Sequence, residues 1–112
     1  NAEDSRTMIP SPGLVEGYHP PGGHGVRIDS AVYSGYTVQP YYDSLIAKLI
    51  CQAGDRNECI ARMGVALDSF IIEGITTTIP FLARVMQNER FISGDVDTKF
   101  LERESQLLKE PA

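Results

Sequence analysis

The sequence predicts an α+β domain in which an antiparallel sheet is followed by packed helices. Two observations carry this prediction. Before residue 54, short apolar stretches alternate with turns rich in proline and glycine, whereas from Asp55 onward apolar residues recur every three or four positions. The chain has 112 residues, which is enough for one domain with a modest core.

The strands are predicted between the turns. Residues 10–13 and 20–23 are turn sequences, and the segment 14–18 between them is typical of a short strand. Residues 26–29 alternate apolar and charged side chains, the pattern of a half-buried strand. Residues 44–52 are apolar enough for either a helix or a strand, and their flanking turns favour a buried strand.

Alternation gives each of these strands two faces. Val26 and Ile28 are expected to face the core, while Arg27 and Asp29 share the outer face. In the predicted strand at 44–52, the side that faces the core is expected to comprise Leu45, Ala47, Leu49 and Cys51.

Three helices are predicted in the second half. Asp55 followed by Glu58 matches a capping box, and Gly74 is expected to end the first helix. Threonines 76–78 should cap the second helix and Asp97 the third. The apolar faces are predicted to comprise Ile60, Met63, Leu67, Phe70 and Ile71 in the first helix, Phe81, Leu82, Val85 and Met86 in the second, and Phe100, Leu101 and Leu108 in the third.

Charge and hydropathy exclude some classes of function. A net charge of −5 argues against a general binder of nucleic acids or anionic membranes, because both require a cationic face. No apolar run is long enough to span a bilayer, and the acidic start is unlike a signal peptide.

The chain does not begin with Met, so it is expected to be a piece of a longer polypeptide. The domain is expected to span residues 1–108, with residues 109–112 as a frayed tail.

Residue chemistry by itself assigns no reaction. His19 and His24 have no further ligands at suitable spacing, so no metal site is expected. The glycines around His24 predict a tight turn, because no nucleotide-binding glycine motif is present. Cys51 and Cys59 are too few for a disulfide framework and are predicted to be buried free thiols.

Two charged residues stand out. Asp43 follows two tyrosines and precedes an apolar strand, so its carboxylate should need an arginine or backbone amides as partners. Arg27 on an exposed strand face can make bidentate contacts to a partner's carboxylate. Without further information, each is more often a structural or solvated charge than a functional one.

Seven segments follow one another in a specific order: Asn-Ala-Glu-Asp at 1–4, Pro-Ser-Pro-Gly at 10–13, Pro-Gly-Gly-His-Gly-Val-Arg at 21–27, Tyr-Ser-Gly-Tyr at 33–36, Pro-Tyr-Tyr-Asp-Ser-Leu-Ile-Ala-Lys-Leu at 40–49, Ile-Glu-Gly-Ile-Thr-Thr at 72–77 and Asp-Thr-Lys-Phe-Leu at 97–101. Together they closely resemble the C-terminal domain of biotin carboxylase, the ATP-dependent component of acetyl-CoA, propionyl-CoA and pyruvate carboxylases. The resemblance covers nearly the whole chain and implies that family's fold, of the rudiment single hybrid motif type.

The resemblance also implies a reaction. In the family, ATP and bicarbonate form carboxyphosphate with the help of Mg²⁺, and the carboxyl group passes to biotin on a carrier protein or domain. The phosphate-binding loop, the metal-binding glutamates and a biotin-contacting arginine precede the part that matches this chain. No catalytic residue is therefore assigned here, and the chain alone is expected to be inactive. The implied whole is a cytoplasmic homodimer that works with a carboxyltransferase, as in the acetyl-CoA carboxylase of fatty acid biosynthesis.

Four positions carry over from the family by resemblance. Arg27 matches an arginine at the two-fold dimer interface, and His24 stands where some members have an interface Phe. Asp43 corresponds to a carboxylate near the active site that pairs with an arginine of the N-terminal domain. Thr98 matches a position, Ile in other members, that closes one wall of the adenine pocket. The alternative is a stand-alone interaction module that reuses the fold without chemistry.

Overall fold

The computed structural model describes residues 1–41 and 43–109, and within α4 it describes side chains only as far as Ser105. The element composition is α+β, as predicted. The elements in chain order are β1 (Gly13–Leu14), β2 (Gly17–His19), β3 (Val26–Ser30), β4 (Thr37–Val38), β5 (Ala47–Cys51), α1 (Arg56–Ser69), β6 (Ile71–Glu73), α2 (Ile79–Gln87), α3 (Glu89–Ser93) and α4 (Phe100–Lys109).

The described strands form three separate antiparallel pairs: β1 with β4, β2 with β6, and β3 with β5. The strands are at most five residues long. The predicted antiparallel pairing is therefore present, but as three two-stranded ribbons. Because β6 follows α1, the β2–β6 ribbon ties the two halves of the sequence together.

The β3–β5 ribbon confirms the predicted alternation. Val26 and Ile28 are half-buried, while Arg27 and Asp29 are exposed. In β5 the residues at positions 47, 49 and 51 are half-buried and those between them are exposed. The prediction for Leu45 is wrong, because this residue precedes the strand and its side chain is 48% exposed.

The predicted strand 14–18 is divided between β1 and β2. Val15 N donates to Tyr36 O at 2.8 Å. One residue later, Glu16 N donates to Glu73 O at 2.8 Å. The backbone therefore changes its hydrogen-bonding partner between two adjacent residues, and no continuous strand forms.

The segment 10–13 is not the predicted turn. Pro10 pairs with Glu3 in an isolated bridge, and Gly13 already belongs to β1. The reversal lies earlier, where Asp4 Oδ1 accepts hydrogen bonds from the backbone nitrogens two and three residues later, at 2.8 and 2.9 Å. An aspartate side chain that binds its own following backbone is a common turn device.

Helix α1 begins as predicted and ends earlier. Asp55 Oδ1 accepts a hydrogen bond from Glu58 N at 2.8 Å, which satisfies one of the free amides at the helix start. The helix ends at Ser69 and not at Gly74. Phe70, with φ −85° and ψ 108°, leaves the helix and leads into β6.

The early end changes the environment of Ile71. This residue was predicted on the apolar helix face, but it lies in β6 and its side chain is 47% exposed. Phe70, predicted on the same face, is buried. Pairing with β2 provides the segment with backbone hydrogen bonds that a longer helix would have provided locally, so tertiary context decides the outcome.

Helix α2 begins after Thr78, as predicted, and Pro80 lies in its first turn. Its apolar face is narrower than expected, because Phe81 and Val85 are buried whereas Leu82 is 40% exposed. The Thr78 hydroxyl does not cap the helix and instead accepts a hydrogen bond from Asn1 N at 3.1 Å.

The last part of the chain contains one helix that was not predicted. Helix α3 is capped by Asn88, whose Oδ1 accepts from Phe91 N at 3.1 Å, and Gly94 ends it in the left-handed conformation. Helix α4 starts three residues after Asp97, which caps the preceding turn. The side chain of Leu108 and residues 110–112, including most of the predicted tail, lie outside the described residues.

Two apolar clusters contribute to the core. The first joins the N-terminal segment to the ribbons, and the second packs α2 against α4. Their buried members are Ala2, Val15, Val32, Val38 and Ile46 in the first, and Phe81, Val85 and Phe100 in the second.

Candidate functional site

Arg27 lies on the outer face of the β3–β5 ribbon. Its Nε and Nη2 atoms donate to the two carboxylate oxygens of Asp29, at 3.2 and 2.8 Å. The pair lowers the pKa of the Asp29 carboxyl and raises the pKa of the Arg27 guanidinium. Lys48 lies opposite Asp29 in the ribbon. The Arg27 side chain remains 71% exposed, so its remaining N–H groups are available to a partner.

His24 occupies the exposed turn that leads into β3. A shallow groove of about 460 Å³ separates this turn from α1. Glu58 and Arg62 line one part of the groove, and Val65 lines another with its side chain 67% exposed. The two residues predicted for an interface, His24 and Arg27, therefore belong to one turn-and-strand unit that faces solvent.

Asp43 is exposed and lies just before β5. Its Oδ1 atom accepts a hydrogen bond from Leu45 N at 3.1 Å, so a backbone amide supplies the partner that the sequence required. The backbone of Ser44 accepts a hydrogen bond from Ala2 N at 2.8 Å. Asp43 thus lies beside the N-terminal segment of the described chain.

Thr98 is exposed on the turn between α3 and α4. Asp97 orders this turn, because its Oδ1 accepts from Lys99 N at 2.9 Å and its Oδ2 accepts from Arg103 Nη1 at 3.0 Å. These bonds lower the pKa of the Asp97 carboxyl. Phe100 anchors the other side of the turn in the core. The side chain of Thr98 is therefore presented to solvent on a well-supported backbone.

Sequence reasoning did not anticipate an apolar groove of about 220 Å³ between β5 and the first two helices. Four separate segments contribute to it, so no local pattern could have indicated it. Its apolar lining includes Ile46, Leu49, Met63, Leu67, Phe70, Ile72, Ile79, Leu82 and Met86.

The described residues contain no cluster of three or more His, Cys, Asp or Glu side chains that could hold a metal ion. Within the same residues, no helix is long and apolar enough to cross a membrane.

Comparison with known proteins identifies the architecture. The family model described as the biotin carboxylase C-terminal domain matches residues 1–103. The chain belongs to this family. The biotin carboxylase C-terminal fold therefore carries Arg27, Asp43 and Thr98 in the positions described above.

Individual relatives agree with the family match. Biotin carboxylase 1 of Bacillus subtilis is 56% identical over 103 residues, which cover 91% of this chain and 23% of that protein. The biotin carboxylase domain dimer of the Hydrogenobacter thermophilus 2-oxoglutarate carboxylase, a complex with MgADP, ADP and bicarbonate, superimposes with a TM-score of 0.93 at 41% identity. That match covers 100% of this chain and 25% of the other.

A further solved structure, biotin carboxylase from Campylobacter jejuni in complex with a nucleotide described as β,γ-ATP, matches with a TM-score of 0.88 at 50% identity. The match covers 91% of this chain and 23% of that one. The biotin carboxylase C-terminal domain thus spans about a quarter of the relatives that it matches.

Proposed function

We propose that this chain is the C-terminal part of a biotin carboxylase, an ATP-dependent ligase that uses bicarbonate to carboxylate biotin on a carrier protein. One observation supports the proposal most strongly: the family match over residues 1–103 coincides with a fold similar to a domain that was solved with MgADP and bicarbonate. In this proposal the chain completes a wall of the active site and a subunit interface. Mg²⁺, the ATP phosphates and biotin are held mainly by the rest of the polypeptide.

Thr98 is the residue we assign to the adenine of ATP. Its exposed methyl group on an ordered turn offers a small apolar surface against which a flat base can pack. A threonine presents less apolar surface than an isoleucine would, so we expect its contact with the base to be small. Mg²⁺ would bind outside this surface, since carboxylates rather than hydroxyls are its preferred protein ligands.

Asp43 is the residue we assign to pairing with an arginine from the rest of the polypeptide. Its carboxylate is exposed, and one hydrogen bond to Leu45 N leaves acceptor capacity for a guanidinium. In this role Asp43 is a positioning residue, because it would orient an arginine and would not touch the reacting atoms.

Arg27 and His24 are the residues we assign to a two-fold homodimer interface. A two-fold interface is self-complementary, so each subunit would offer Arg27 to a carboxylate of the other and receive the same contact in return. The two hydrogen bonds from Arg27 to the Asp29 carboxylate orient the guanidinium. Beside Arg27, the His24 side chain would contribute less apolar contact to the interface than a phenylalanine would.

The wider partners follow from the same proposal. A biotin carboxyl carrier protein or domain would deliver the biotin, and a carboxyltransferase would consume the carboxylated carrier. We propose a cytoplasmic enzyme, and acetyl-CoA carboxylase of fatty acid biosynthesis is one enzyme in which such a chain would serve.

The test compares the full polypeptide that carries this chain with the 112-residue chain alone. We expect the full polypeptide to hydrolyse ATP in a manner that requires both bicarbonate and biotin. We expect the isolated chain to give no turnover above a heat-killed control. Turnover by the isolated chain would contradict the assigned division of labour.

The alternative is an interaction module without chemistry. It would be favoured if the polypeptide upstream of Asn1 were an unrelated domain and if the full polypeptide lacked bicarbonate-dependent ATP hydrolysis. An upstream region with the phosphate-binding loop and the metal-binding glutamates, together with activity, would eliminate this alternative.

A further inference from the structure

Three sulfur-containing residues lie at the junction of β5 and α1. Cys51 is the last residue of β5, and Cys59 and Met63 lie one turn apart on α1. The Cys59 Sγ atom lies 3.4 Å from the backbone oxygen of Cys51. The Cys51 Sγ atom lies 4.0 Å from Met63 Sδ. Both cysteines are free thiols, and both are partly exposed.

We propose that Cys51 and Cys59 are a reversible oxidation site, which a small-molecule disulfide such as oxidised glutathione converts into an intrachain disulfide. The bond would join the end of β5 to the first turns of α1. The Cys59 sulfur already contacts the backbone oxygen of Cys51, and the Cys51 sulfur lies against Met63, one helical turn after Cys59. Partial exposure admits the reagent.

The surrounding backbone holds the two cysteines in this relation. Gln52 N donates to Gly25 O at 2.8 Å, and the Arg62 guanidinium donates to Gln52 O. The Asp55 cap fixes the start of α1 relative to the same loop. Because these contacts restrain the loop between the cysteines, the folded chain should present the thiols to each other at a higher effective concentration than the unfolded chain does.

The exchange proceeds in two balanced steps. The Cys59 thiolate attacks one sulfur of oxidised glutathione, forms a mixed disulfide and releases one glutathione thiolate. Cys51 then loses its proton and attacks the Cys59 sulfur, which releases the second glutathione thiolate and completes the intrachain bond. The two protein thiols are oxidised by two electrons, and one glutathione disulfide is reduced to two thiols.

The order of attack follows from the local environment. Burial and the neighbouring Cys59 raise the pKa of the Cys51 thiol. A raised pKa lowers the thiolate fraction at neutral pH and so disfavours Cys51 as the first nucleophile. Cys59 is therefore the entry point, and Cys51 resolves the mixed disulfide.

The test is peptide mapping of the full polypeptide after equilibration with defined ratios of reduced to oxidised glutathione. Trypsin cleavage after Lys48, Arg56 and Arg62 places the two cysteines on separate peptides, 49–56 and 57–62. We expect a linked pair of these peptides that lacks two hydrogens and separates on treatment with dithiothreitol. The equilibrium constant for the bond should be about tenfold or more higher in the folded chain than in urea.

Two variants test the order of attack. Cys51→Ser should accumulate glutathione on Cys59, whereas Cys59→Ser should accumulate less on Cys51. Met63→Leu retains both thiols and should still form the linked pair. The proposal is overturned if the folded protein yields only separately glutathionylated cysteines or unmodified peptides at ratios where the urea-unfolded chain forms the linked pair. That comparison uses the unmodified sequence, so it holds even if a serine variant fails to fold.

Discussion

Arg27 and Asp29 pair because residues two apart on a strand share a face. Both side chains are at least half exposed, and exposed ion pairs contribute little to folding because water and salt screen them. In the proposed interface, the Arg27–Asp29 pair would therefore be more important for orienting the guanidinium than for folding stability.

Phe70 contributes to the core in a different way from the one predicted. It ends α1, is 7% exposed, and packs edge-on against Tyr18 with ring centroids 5.9 Å apart. We expect Phe70→Ala to reduce the free energy of unfolding by about 3–5 kcal/mol, because the substitution removes a buried ring and leaves a cavity. A small domain has little more stability than that, so urea denaturation should find the variant largely unfolded.

Val65→Ala is the matched control, because Val65 lies on α1 with its side chain 67% exposed. Its urea midpoint should stay close to that of the parent chain. Equal midpoints for Phe70→Ala and the parent would show that the ring contributes nothing to the core.

Thr98 allows a prediction about nucleotide binding in the full polypeptide. Thr98→Ala should raise KM for ATP about fourfold, the equivalent of one buried methyl group, with kcat nearly unchanged. In the proposed adenine site the contact would be made equally in the ground and transition states, so only uniform binding would be lost. Steady-state kinetics over a range of ATP concentrations measures both constants.

Thr98→Ile is the complementary variant, since a larger apolar side chain should lower KM for ATP. A large fall in kcat with unchanged KM in the alanine variant would remove Thr98 from the adenine site.

The turn directly after β6 requires a glycine, Gly74. Gly74 has φ +101°, and a Cβ there would lie 2.9 Å from Glu16 N and still closer to Leu14 O. Gly74→Ala should therefore destabilise the chain by roughly 1–3 kcal/mol for the backbone conformation alone, with the steric overlap adding to this cost. Thermal or urea unfolding of the 112-residue chain measures the change.

Gly22→Ala is the control for Gly74. A Cβ at Gly22 meets no heavy atom within 4 Å, and its backbone is not in the left-handed region. We expect its stability to match the parent or to rise slightly, because alanine restricts the unfolded chain. A similar loss in both variants would indicate that the close approach of Gly74 to Leu14 is not what requires glycine.

At the scale of the full polypeptide, we predict an effect of Arg27 on dimer formation. If Arg27 contacts a carboxylate across a two-fold axis, Arg27→Glu replaces two attractions with two repulsions. The dimer dissociation constant should rise about tenfold or more at low salt, and the effect should shrink as ionic strength increases. Analytical ultracentrifugation at two salt concentrations provides the measurement.

Arg103→Glu is the matched control, because Arg103 is also an exposed arginine paired with an aspartate, and it lies on α4. Its dimer constant should equal that of the parent. If Arg27→Glu leaves the dimer constant unchanged at low ionic strength, Arg27 is an ordinary solvated charge.

Local signals in the sequence predicted several features correctly. The alternation at 26–29 predicted the two faces of β3, because side chains alternate on any strand. Asp55 predicted the start of α1, because a cap acts on amides within three residues. The order of short strands before helices predicted the α+β class. These features depend on interactions over a few residues, and the sequence displays such interactions directly.

Only the tertiary structure determined which distant segments of the chain pair with each other. Ile71–Glu73 leaves the helical pattern because β2, more than fifty residues earlier, offers hydrogen bonds that no local pattern indicates. The Thr78 hydroxyl accepts a hydrogen bond from Asn1 N, 77 positions away, and does not cap its own helix. The apolar groove and the contact between Cys51 and Cys59 likewise require β5 and α1 to pack together. Such long-range pairings depend on the free energy of the assembled domain, which residue spacing along one chain does not express.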